Sequence, residues 1–223
     1  MGARAMGAAR RTRGAVLAAV LAAGLVLPQC TTAPAPPPAR GTVHPVTAAE
    51  LGASWRPGCP VAPEQLRRVE VPYLGFDGRT HRGELVVHAD RVAQVVSVFA
   101  ELERLRYPIE KMRTVDHYPA ADDELSMRDN NTSAFNCRDI PGTGHWSQHA
   151  YGRAVDVNPL INPYLDDTGV VQPGNAAPYL DRSRADPGLL HDGDPAVRTF
   201  VDRGWQWGGH WHDPIDYQHF ELP

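Results

Sequence analysis

The stretch SQHAYGRAVDVNP, residues 147–159, places His149 and Asp156 seven residues apart with Gly152 between them. Near the end of the chain, DYQHFELP adds Asp216 and His219. Two imidazoles and one carboxylate around an ion, with a fourth position open, form the pattern of a catalytic zinc site. Such an ion lowers the pKa of a water toward about 7, and a neighbouring carboxylate can then take its proton. Asp216 suits that second task better than ligation, because a fourth ligand would close the site.

Local structure has to bring these groups together. AVDVN reads as a strand in which Ala154, Asp156 and Asn158 share one face and Val155 and Val157 the other. Gly152 lets the chain turn between His149 and that strand. Asp216 and His219 are three residues apart, so a flat strand would point them to opposite faces. They can serve one centre only if the chain bends at DYQ, just after Pro214.

The surrounding pattern predicts an α+β fold, a mostly antiparallel sheet with flanking helices. A short helix starts at APEQ, with Pro63 in its first turn. VEVPYLGF and GELVVH read as a hairpin around DGRTHR. DRVAQVVSVFAELERL is the clearest helix, with Asp90 as its cap and Val92, Val95, Val96, Phe99, Leu102 and Leu105 on its apolar face. KMRTVD reads as a short strand. Residues 117–148 read as a long polar loop, functional or mobile, and 159–192 as a second irregular stretch. A helix over DPAVRTFVDRG is capped by Asp194, and WQWGGHW and HFEL are the final strands.

The N-terminus has a different character. MGARAMGAARRTRG carries four arginines and no acid, and thirteen apolar residues follow, which reads as an export signal over 1–30. Leu27, three before Cys30 in LPQC, resembles the lipobox of bacterial lipoproteins, although Gln29 stands where a small residue is usual. Lipidation at Cys30 and simple secretion both stay open, and either places the mature protein in the bacterial cell envelope. Residues 31–54 read as a Pro/Ala-rich tether and 55–223 as the catalytic domain. Without its leader the chain falls from a net charge of −4 to −8, which argues against nucleic-acid binding. Membrane attachment is expected only through the lipid. Cys59 and Cys137 remain, and in an oxidising compartment they most simply pair. A nucleophilic or metal-binding Cys137 is the alternative.

SQHAYGRAVDVN matches the motif SxHxxGxAxD, and DYQHF the motif [DE]xxH, of the M15 metallopeptidases. These are zinc D-alanyl-D-alanine carboxypeptidases and related peptidoglycan endopeptidases. DNNTSAFNCR, NPY and GWQWGGHW are also similar to that family, so the resemblance spans roughly residues 57–222. It implies one zinc ion per chain held by His149, Asp156 and His219, with Asp216 as the base. Arg138 is similar to the arginine that steadies substrate or a developing oxyanion. Ser147 is a candidate substrate contact, with a turn role as the alternative. Core packing accounts for two of Trp205, Trp207 and Trp211, while Trp211 can wall the site. His210 and His212 are expected to face solvent or the substrate side rather than to ligate. The resemblance further implies a Hedgehog/D-Ala-D-Ala-peptidase type of fold and a monomer acting on peptidoglycan peptides. The competing reading is a zinc-containing wall-binding module of the same fold without turnover.

Overall fold

The computed structural model describes Gly2 and residues 41–223; the expected export signal and Cys30 lie outside the described residues. The chain enters the fold earlier than its composition suggests. Thr42–Pro45 forms β1, and Ala48–Leu51 forms a one-turn helix, α1. Thr47 and Glu50 cap that turn reciprocally, and Val46 and Leu51 are buried. The tether expected over 31–54 is therefore too long: its last residues are held by backbone pairing and apolar burial.

Leu66–Leu74 (β2) and Thr80–His88 (β3) form the expected hairpin in continuous antiparallel register, with β1 added on the free side of β2. The helix α2, Val92–Arg104, packs on this sheet through Val95, Val98, Phe99 and Leu102. Each such side chain contributes roughly 1.5–3 kcal/mol by leaving water. Asp90 does not cap α2. Its carboxylate is drawn instead to His88 and Arg153, and Arg91 occupies the cap position without a side-chain bond.

Inside the segment expected to be a loop, 117–148, residues 130–137 form a buried strap, with exposed stretches on either side. Lys111–Met112 (β4) pairs in parallel with Asn131–Thr132 (β5), after the short helix α3, Asp123–Arg128. From Asn130 to Cys137 every residue is buried. The polar side chains there are satisfied internally: Asn131 bonds both backbone groups of Arg113, and the Asn136 amide donates to the carbonyl of Ala121.

Beyond the strap come Ala154–Asp156 (β6), Tyr164–Leu165 (β7) and Val171–Gln172 (β8). The helix α4 covers Pro195–Val201, and Gln206–Trp207 (β9), Ile215–Asp216 (β10) and His219–Glu221 (β11) end the chain. Asp194 holds the cap position of α4, but its carboxylate accepts from the amide of His191. WQWGGHW is a strand only at its start, since Gly208–His210 turns. Two further antiparallel sheets result, in the orders β6-β11-β9 and β10-β7-β8, so the fold is α+β. Among the described residues no helix is long and apolar enough to cross a membrane.

Two apolar clusters hold these layers. The larger joins α2, the hairpin, α4, Trp205, Trp207 and Phe220, with Phe220 stacked on Phe200 at 3.8 Å between centroids. The smaller gathers Val46, Leu51, Leu66, Val86 and Phe135 around a disulfide between Cys59 and Cys137, whose Cα atoms are 5.9 Å apart. This bond closes a separation of 78 residues and fastens the strap to the N-terminal part of the domain. Replacing both cysteines by serine should lower stability by about 2–5 kcal/mol. Denaturant titration would read this as a lower midpoint, and an unchanged midpoint would show that the bond adds nothing.

Candidate metal centre

The centre is built on one strand pair. In β6 and β11, His219 lies directly opposite Asp156, and Phe220 opposite Val155. Opposed residues of an antiparallel pair share a face, and the next pair takes the other. Val155 and Phe220 therefore enter the core, and Asp156 and His219 face away from it together. His149 joins them from the single 3-10 turn Gln148–Tyr151.

That turn ends at Gly152, whose φ is +66°, and a Cβ there would meet the amide nitrogen of His88 at 2.6 Å. The same amide donates to the Gly152 carbonyl at 2.8 Å. Glycine is thus required both for the left-handed turn and for its close approach to β3. Ser147 begins the turn: it is buried and its Oγ accepts from the amide of His149 at 3.3 Å. Of the two roles expected for Ser147, this bond is the turn role.

His149, Asp156 and His219 are 2%, 3% and 6% exposed. The Nε2 of His149 lies 3.1 Å from Asp156 Oδ2 and 3.1 Å from His219 Nδ1, and His219 Nδ1 lies 3.1 Å from Asp156 Oδ1. The three ligand atoms lie within 4.8 Å of one another, so one metal ion can be held by all of them. Each ring also has a partner for its outer nitrogen. His149 Nδ1 donates to the carbonyl of Ala134 at 2.5 Å, which leaves the Nε2 lone pair facing inward. His219 Nε2 donates to Glu221 Oε2 at 3.1 Å, which frees Nδ1 in the same sense.

The electrostatics of the cluster favour a cation. Burial opposes the charge of Asp156, yet the two imidazoles overcome it and hold the carboxyl well below the usual range. Burial likewise opposes a charged His219, but Asp156 and Glu221 push it up to about 10. Both shifts express one demand, positive charge at the point where the three side chains meet. The donor set fits a divalent ion.

Asp216 reaches this region from another sheet. It lies on β10, while His219 begins β11, and the chain turns between them at Tyr217–Gln218. The indole Nε1 of Trp207 donates to the carbonyl of Tyr217 at 2.9 Å and fixes the bend. The face conflict expected of a flat strand therefore does not arise. A Cβ on Gly208 would stand 2.5 Å from the carbonyl oxygen of Asp216, so only glycine lets that turn press against it. Asp216 Oδ1 is buried without a hydrogen-bond partner. Burial, aided by the charge of Asp156, pushes Asp216 up to about 6, against His219, His149 and Arg138. A carboxyl in that range suits proton transfer near neutrality.

Arg138 follows the disulfide on the strap. One terminal nitrogen pairs with Asp123 at 3.0 Å, while its Nε is buried and unpartnered. Burial works against its charge, but Asp123, Asp156 and Asp216 together raise its pKa and keep it protonated. Trp211 stands over His219, with ring centroids 5.4 Å apart. Trp205 and Trp207 are buried in the core. His210 pairs with Asp192 at 2.7 Å, and both His210 and His212 are exposed and outside the ligand cluster.

The sequence reading missed Glu221 and Asp123. The i, i+2 spacing of His219 and Glu221 in a strand was the available signal for Glu221; no local pattern connects Asp123 to Arg138. Glu221→Ala should weaken metal binding by about ten- to a hundred-fold. Glu221→Gln, whose amide oxygen can still accept from Nε2, should lose less. Competition with a chromogenic chelator measures both, and equal affinity of the Ala variant and wild type would remove Glu221 from the centre.

No curated protein and no solved structure matched the chain. Residues 141–222 match the family model described as D-alanyl-D-alanine carboxypeptidase. That segment holds His149, Asp156, Asp216, His219 and Glu221, with Arg138 three residues before it. The buried two-histidine, one-aspartate cluster lies inside the matched segment, and over these residues the chain is similar to the M15 peptidase family.

Proposed function

We propose that this protein is an exported zinc peptidase that hydrolyses stem peptides of peptidoglycan, as a D-Ala-D-Ala carboxypeptidase or an endopeptidase of the L-Ala-D-Glu type. The observation that carries the reading is the buried meeting of His149, Asp156 and His219 inside the segment that matches the peptidase family. A fold of the Hedgehog/D-Ala-D-Ala-peptidase type, one ion per chain, a monomeric state and envelope localisation through residues 1–30 or a lipid on Cys30 belong to the same proposal.

His149 Nε2, Asp156 and His219 Nδ1 would hold the ion. When bound, zinc supplies Lewis-acid activation of water and of the scissile carbonyl. Asp216 takes the proton of the attacking water on a carboxylate oxygen. As the new carbon–oxygen bond forms, negative charge moves onto the carbonyl oxygen, where the Arg138 guanidinium stabilises it. Asp123 keeps that guanidinium in place through one nitrogen and leaves the Nε–H free for the substrate. Asp216 then delivers its proton to the departing amine as the carbon–nitrogen bond breaks. Trp211 covers the ligand His219 and shields the reacting groups from water on that side.

Asp216→Asn should lower turnover of defined muropeptides by at least about a hundred-fold, with metal content unchanged. His149→Ala should abolish stoichiometric metal binding as well as turnover. Mass spectrometry of the digests identifies the bond cut. Wild-type cleavage by the Asn variant would sink the assigned base, and metal binding without any cleavage by wild type would favour the non-catalytic wall-binding module.

A further inference from the structure

Tyr164 belongs to the NPY stretch, to which the proposed mechanism gives no task. It sits on β7, and its register partner across the sheet is Asp216 on β10. Directly opposed residues of an antiparallel pair project from the same face with Cβ atoms about 4.5–5.5 Å apart. The phenol therefore leaves the sheet beside the carboxylate of Asp216. The β7–β8 hairpin is tied at its far end by Asp166, whose carboxylate accepts from Thr168 and Val170, so the strand carrying Tyr164 is backed by an ordered turn. At its near end, Pro163 accepts from the amide of Tyr217, at the bend between Asp216 and His219.

Resting on the peptidase reading above, we infer that Tyr164 is a further catalytic residue, donating its hydroxyl proton in a hydrogen bond to the scissile carbonyl oxygen alongside Arg138. The phenol feels the negative charges of Asp216, Asp166 and Asp167 and the positive charge of Arg138. Burial, then those carboxylates, hold the proton on the phenol against Arg138, so the group is a donor at neutral pH. A donor that shares a sheet face with Asp216 and lies within range of the Arg138 charge can serve where oxyanion charge develops, and such donors act mainly on the transition state. Tyr164 is half-buried, so part of it stays open to solvent.

The test is Tyr164→Phe, which removes one oxygen and leaves the ring to pack. Zinc-loaded wild type, Tyr164→Phe and Asp216→Asn are compared on defined muropeptides, with metal content and melting temperature measured for each. Tyr164→Phe should lower kcat/KM by roughly ten- to a hundred-fold, chiefly in kcat, with metal content and melting unchanged. Inhibition by a phosphinate peptide, whose oxygens imitate the tetrahedral carbon, should weaken in parallel. A loss under three-fold, or one accompanied by lost metal or lowered melting, overturns the inference. If wild type cuts none of the muropeptides, the peptidase reading fails and takes the inference with it, an outcome distinct from an active Phe variant.

Discussion

Everything at the centre follows from three candidate ligand atoms held about one hydrogen-bond length apart by side chains that are nearly, but not wholly, closed to solvent. Left to themselves, an aspartate and two imidazoles so buried would be costly, because burial penalises charge and unpaired lone pairs alike. A shared positive charge removes that penalty. The depressed Asp156 and the elevated His219 are two views of the same attraction. The fold maintains the arrangement by placing both residues in register on one strand pair, where neither can move without breaking the ladder.

The third ligand depends on a different element. Ser133 exchanges backbone bonds with Asp156, Ala134 takes the outer proton of His149, and Asn136 donates its amide to the carbonyl of His149. Phe135 ties the same segment to Val86 of β3. One strap thus supports two ligands and carries Arg138 at its end. Asp216, the proposed base, stands apart from this system, on a small sheet whose other strands come from the irregular stretch after residue 158.

The His149, Asp156 and His219 cluster was legible because those residue types and spacings are themselves what a metal centre requires. The helix α2 was legible because its valines and leucines repeat at helical intervals; only Val98 was left off its buried face. The strap was not, since Asn, Thr and Ser read as loop residues until their internal hydrogen bonds are seen. Residues 41–54 were hidden by the prolines before them, although TAAE carries the spacing of a reciprocal cap. For Ser147 the sequence left a substrate contact and a turn role open, and its hydroxyl secures the turn that presents His149.

The covalent staple at Cys137 lies between Asn136, whose amide supports the carbonyl of His149, and Arg138, whose guanidinium is steered by Asp123. Thiol exchange there would loosen, in one stroke, the footing of His149 and of the Arg138 guanidinium. Neither sulfur takes part in bond cleavage. The oxidising strength of the surroundings nonetheless becomes a condition for assembling a working centre, and a chain still awaiting oxidation would have this region slack.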